Sequence, residues 1–124
     1  IFSKQTEQVY LLCFDTKHSL IACKLIGEGD VNSASFDTRK LVSVLLETNA
    51  TIAVLAHNHP HGIALPSPQD IEVTENVYKL LDTLKVKLAD HIIIANNNYC
   101  SMINTPRYMH LFFGANPLFS DNDD

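Results

Sequence analysis

His57 and His59 stand two residues apart, Pro60 follows directly, and Ser67 and Asp70 form a Ser-x-x-Asp pair a short loop later. Side chains at i and i+2 of an extended chain point to the same side. A strand ending here would therefore aim both imidazoles at one point, where each can reach a metal ion at about 2.0–2.1 Å. A carboxylate from Asp70 completes three protein ligands and leaves a fourth tetrahedral position for water. That is the pattern of a catalytic zinc site rather than a closed structural one. Singly, these residues say less. A His-x-His at a strand end is commonly incidental, and Ser67 with Asp70 also reads as a capping box at a helix start. The combination of strand, paired histidines, proline and helix start is far more specific.

The flanking elements suit that placement. Residues 51–56 (TIAVLA) are a short continuous apolar run, fitting a central strand covered on both faces. Residues 58–69 have little regular pattern and carry three prolines and a glycine. Ser67 then predicts an N-cap, Pro68 suits the first helical position, and Asp70 falls at the third. Val73, Val77, Leu80, Leu81 and Leu84 repeat at helical spacing behind it. Upstream, residues 8–15 (QVYLLCFD) and 19–26 (SLIACKLI) predict an antiparallel strand pair turning at Thr16-Lys17-His18, with Gly27-Glu28-Gly29-Asp30 breaking the second strand. Asp37 predicts the cap of a helix ending near Asn49. Residues 87–95 and 99–103 predict two strands around Asn96-Asn97-Asn98, and residues 107–113 a short terminal helix. The order is β-β-α-β-α-β-β, an α/β domain with a mixed sheet and helices.

Composition agrees with one globular domain. The chain has 124 residues, 46% hydrophobic and 19% charged, enough for a real core and too apolar for disorder. No apolar run approaches the ~18 residues needed to span a bilayer. The net charge is −5, and setting aside the aspartates of the tail still leaves about −2. The nine basic residues are scattered. Non-specific nucleic-acid binding, which needs clustered Lys and Arg, is not expected of this domain alone. Cys13, Cys23 and Cys100 are odd in number and fit neither a disulfide framework nor a zinc ribbon. They read as small buried thiols in a reducing cytoplasm. The chain starts at Ile1 rather than Met, so a boundary with more sequence upstream is expected.

The segment His57-x-His59-Pro60, then Ser67-x-x-Asp70, resembles the JAMM signature of the JAB/MPN domain family. It is most similar to the RadC branch, whose members carry a His-Asn-His-Pro-Ser-Gly run and a Pro-Ser-x-x-Asp. The resemblance extends to Glu7 at a strand start, to the strand ending at Asp15, and to Asp90-His91-Ile92-Ile93. It implies a three-layer, cytidine-deaminase-like fold over residues 1–106; residues 107–124 have no counterpart in the family and read, from their composition, as an extension with an acidic end expected to be disordered. It implies one Zn2+ held by His57, His59 and Asp70, with Ser67 helping to stabilise the developing oxyanion. A glutamate from an early strand would take and return a proton. Glu7 matches best; Glu28, in a Gly-rich turn, and Glu47, late in a helix, are competitors. Departures are His61, where the branch usually has Ser, and Glu28-Gly29-Asp30 after Gly27. His61 reads as exposed loop, and His91 as a buried structural hydrogen bond.

Two functions follow from the resemblance. One is a JAMM-type zinc metalloprotease-like hydrolase, cutting an amide, peptide or isopeptide bond of an unknown protein or peptide substrate. The other is a non-enzymatic metal-binding module associated with DNA repair or recombination, a role carried by the family's traditional name. The letters His-Asn-His do not indicate an HNH nuclease, in which they are spread over a ββα unit. Exposed strand edges make a homodimer plausible.

Overall fold

The computed structural model describes residues 6–29 and 37–114. Five strands form one sheet in the order β2-β1-β3-β4-β5. They are β1 (Glu7–Phe14), β2 (Leu20–Gly29), β3 (Ile52–Asn58), β4 (Lys87–Ala95) and β5 (Asn98–Ser101). Helix α1 (Thr38–Thr48) joins β2 to β3, and α2 (Pro68–Thr83) joins β3 to β4. The sheet is mixed: β3 and β4 run parallel and the other neighbouring pairs antiparallel.

Local chemistry explains the boundaries. Asp15 accepts from the N–H groups of Lys17 and Ser19, and His18 takes a positive φ of 68°, closing the β1–β2 turn. Asp37 caps α1 by accepting from the Arg39 and Lys40 N–H groups, and Asn49 ends it in the left-handed conformation. Ser67 and Asp70 form the expected capping box at α2, behind Pro68.

Two strands run further than the sequence suggests. β2 does not break at Gly27: Gly27, Glu28 and Gly29 pair with Val9, Gln8 and Glu7. A register shift between Val9 and Tyr10 absorbs Ile26 as a bulge, and pairing against β1 outweighs the turn preference of the glycines. β3 continues through His57 and Asn58, because β1 on one side and β4 on the other hold both residues in the ladder or beside it. At the end of the chain, residues 107–113 form a 3-10 turn at Met109–Phe112 after another at Met102–Asn104, rather than one helix.

Both crossovers, β2-α1-β3 and β3-α2-β4, join parallel strands and step in the same direction across the sheet. Right-handed crossovers of that kind put both helices on one face. The packing agrees. Leu41, Val44 and Leu45 of α1 and Val77 and Leu81 of α2 share one core with Val9, Leu11, Cys13, Ala53, Leu55, Leu88 and Ile93. Paired residues share a face, so His57 and His91 project from this same helix-covered face. The described residues thus supply two of the layers of the JAB/MPN arrangement. The opposite sheet face carries Tyr10, Leu12, Phe14, Val54, Ile92 and Ile94, all half-buried. Cys23 lies opposite Leu12 on that face and is exposed, not buried as expected; Cys13, on the core face, is buried. No helix among the described residues is long and apolar enough to cross a membrane.

Candidate metal centre

The centre forms where β1 begins, β3 ends and α2 begins. Val9 pairs with His57 in the antiparallel ladder. Glu7, two residues before Val9, therefore lies on the same face as His57. Its Oε1 is 2.7 Å from His57 Nε2, and Glu7 is only 5% exposed. Asp70 reaches in from the first turn of α2. Its Oδ1 is 2.8 Å from His57 Nδ1, and its Oδ2 is 3.0 Å from His59 Nε2. Oδ2 also accepts from the Ser67 N–H at 2.8 Å, so the capping carboxylate and the histidine-facing carboxylate are one group.

With both rings neutral, this arrangement would set lone pairs against carboxylate oxygens. His59 Nδ1 is 3.0 Å from the Ile63 carbonyl oxygen, which can only accept, so Nδ1 carries the proton. A neutral His59 would then turn the Nε2 lone pair toward the Asp70 oxygen. His57 has a carboxylate oxygen beside each ring nitrogen, yet a neutral ring donates from only one. Its Nε2 is buried and, despite the 2.7 Å approach of Glu7, is not aligned for a hydrogen bond. Two imidazoles thus face two carboxylates, with lone pairs that need either extra protons or a cation. The atoms of Glu7, His57 and His59 that could bind a cation lie within 4.8 Å of one another. Imidazole nitrogen with carboxylate oxygen is a donor set that suits zinc and related divalent ions. The residues present fit a metal ion.

Burial raises the pKa of Asp70, but hydrogen bonds from His57, His59 and the Ser67 N–H outweigh it and hold the carboxyl well below the usual range. The hydrogen bond to Asp70 raises His59 above its ordinary value, against an opposing effect of burial. Burial raises Glu7, with His57 opposing. A carboxylate pushed toward its protonated form beside a metal-type cluster is suited to proton transfer.

The structure brings Glu7, His57, His59, Ser67 and Asp70 together. Glu28 is exposed and bonded to Thr6 and Gln8 side chains; Glu47 is exposed on α1. Neither joins the cluster. His61 lies exposed on the loop, and His91 is buried with a hydrogen bond to Thr74. Ser67 Oγ accepts from the Asp70 N–H at 3.1 Å, which leaves the Ser67 hydroxyl proton free to donate.

Asn58 was not singled out by the sequence pattern. Its Oδ1 accepts from the Gln8 N–H at 2.6 Å and its Nδ2 donates to the Thr6 carbonyl at 3.1 Å. These bonds bracket Glu7 and fix the start of β1 against the end of β3. A polar residue in a buried position between the two histidines was the available signal. The far wall of the site is also new. A cleft of about 440 Å3 opens beside Glu7, His59 and Ser67, and is bordered by Ile63, Leu65, Arg107 and Tyr108. Leu111 and Phe112, just beyond, belong to the core.

Fold and site together define an α/β domain in which two histidines and two carboxylates, a cluster compatible with a metal ion, meet where a strand ends and a helix starts. The model of the RadC-like JAB domain matches residues 1–107, and the chain belongs to that family. Among its relatives are UPF0758 proteins. That of Photobacterium profundum is 37% identical over 98 residues, covering 79% of this chain and 44% of the relative. That of Desulforudis audaxviator is 35% identical over 96 residues, covering 77% and 42%. That of Finegoldia magna is 36% identical over 102 residues, covering 82% and 46%. The chain therefore spans less than half the length of these curated relatives.

Proposed function

We propose that this domain is a JAMM-type, zinc-dependent hydrolase of amide, peptide or isopeptide bonds, with His57, His59 and Asp70 holding the ion. The observation that carries the reading is the pair of imidazoles, His57 buried and His59 half-buried, facing two buried carboxylates beside an open cleft. When bound, zinc supplies a Lewis acid and makes water a competent nucleophile near neutral pH. The chain's own residues do the rest. The Ile63 carbonyl holds the His59 tautomer, and the Ser67 N–H orients Asp70. Glu7, buried and raised in pKa, takes the proton from the attacking water and returns it to the leaving nitrogen. The Ser67 hydroxyl, at the cleft edge, donates to the oxygen of the carbonyl under attack. Ile63 and Leu65 give the cleft an apolar wall for an extended polypeptide substrate. The free thiols suit a cytoplasmic setting.

The experiment is hydrolysis of a peptide library by the zinc-loaded chain, with and without chelator, against Glu7→Gln. The hydrolase reading expects turnover that needs both zinc and Glu7. Zinc bound stoichiometrically with no turnover on any peptide or isopeptide substrate would favour the metal-binding interaction module.

A further inference from the structure

His91 projects from β4 on the helix-covered face, next to Leu55 of β3. Its Nδ1 is 2.7 Å from Thr74 Oγ1, and that hydroxyl lies 2.6 Å from the Asp70 main-chain oxygen. Two oxygens this close need a proton between them, so the Thr74 hydroxyl donates to Asp70 O and accepts from His91. His91 Nδ1 is then the protonated nitrogen, and Nε2 holds the lone pair. Nε2 is buried and has no hydrogen-bond partner among the described residues. A structural histidine needs only its bond to Thr74; the second nitrogen is left over.

Its surroundings suggest an occupant. His91 helps to line a cavity of about 20 Å3 together with Glu7, Val9, His57, Asp70 and Val73. That volume admits one water-sized guest. Atoms of His57, Asp70 and His91 that could bind a cation lie within 4.8 Å of one another, and the rings of His57 and His91 stack with centroids 6.1 Å apart.

We propose that His91 is a metal ligand, forming with His57 and Asp70 an inner position for a divalent cation behind the one that opens on the cleft. The inference rests on the metal-dependent reading above and goes beyond it. The Nδ1–H of His91 is tied to Thr74 as that of His59 is tied to Ile63, the bond that orients ligating histidines and fixes their tautomer. Asp70 divides its oxygens, Oδ1 beside His57 and Oδ2 beside His59, so one carboxylate serves both positions; with both filled, His57 would bridge them as an imidazolate, one ring nitrogen to each ion, its ring proton released to solvent. An all-protein set of two nitrogens and one oxygen favours zinc, cobalt or nickel over magnesium or calcium.

The test is a zinc titration of the full chain labelled with 15N-histidine, followed through the ring-nitrogen resonances. Movement of the His91 Nε2 resonance from its lone-pair position to a metal-bound one, at the first equivalent or a later one, is the expected result. A His91 Nε2 resonance unmoved at excess zinc, while those of His57 and His59 shift, overturns the inner position and leaves the outer centre standing. If none of the three moves, the metal-dependent reading itself fails. As a second measurement, His91→Phe keeps a ring of similar size without the nitrogen. It should retain the outer binding step and lose the inner one; zinc binding unchanged from wild type overturns the proposal.

Discussion

Glu7 and Asp70 are buried carboxylates that face the same histidines and are driven in opposite directions. Hydrogen bonds hold Asp70 below its ordinary value against the effect of burial; in Glu7 burial outweighs the opposing effect of His57 and raises it. Substituting Glu7→Gln should therefore lower turnover by about 10²–10⁴ while leaving zinc content unchanged. Parallel kcat and metal measurements check this, and zinc loss in the variant would make Glu7 a ligand instead. The meeting of His57, His59 and Asp70 was legible because paired histidines at a strand end and a carboxylate at the next helix start are a specific combination. Glu7 was legible only through resemblance: a glutamate before a strand is ordinarily surface, and nothing local says that β3 will lie beside it. Asn58 escaped notice because its partners, the main chain at Thr6 and Gln8, are about fifty residues away.

The α2 start serves two purposes, since one Ser-x-x-Asp both begins a helix and aims the Asp70 carboxylate at His57 and His59. Ser67→Ala removes the side-chain cap and should cost about 1 kcal/mol of stability, read as a lower urea midpoint at unchanged slope. The β1–β3 junction should be more sensitive. Asn58→Ala leaves the buried Gln8 N–H without its acceptor, a cost of about 1–3 kcal/mol, and frees Glu7 to move. The expected signature is a fall in kcat larger than any rise in KM; an unchanged kcat would mean that Glu7 is positioned without Asn58. Helices and central strands were readable from caps and apolar runs. The continuation of β2 through Gly27–Gly29 was not, because glycine's local preference is overruled only by a partner strand distant in sequence.

At the scale of the molecule, the centre ties fold stability to pH and metal. His59 is raised above its ordinary 6.5, so without metal its contribution is full below that value and fades as pH rises through its folded value. Asp70 is lowered from 3.8, so its contribution is full above that value and fades as pH falls through its folded value. The metal-free domain should thus lose stability on both sides, and a thermal melt series from pH 3 to pH 9 checks it. Bound zinc should reverse the alkaline limb, because ligands must shed protons to bind. At a thousandfold excess over Kd it should add about 4 kcal/mol; at one fixed zinc concentration the increment should grow with pH between 5 and 8 as Kd falls. A zinc effect independent of pH would argue against histidine ligation. The placement of both helices on one sheet face follows from the strand order, which the sequence pattern does not state.

The metal centre is tested most directly by the zinc content of wild-type chain and of Asp70→Asn, each loaded with zinc and dialysed exhaustively at neutral pH. Wild type should retain bound zinc and Asp70→Asn should lose it while keeping its far-UV circular dichroism. A wild-type chain that leaves dialysis without zinc, or a variant that holds it as firmly as wild type, would contradict a centre built on His57, His59 and Asp70.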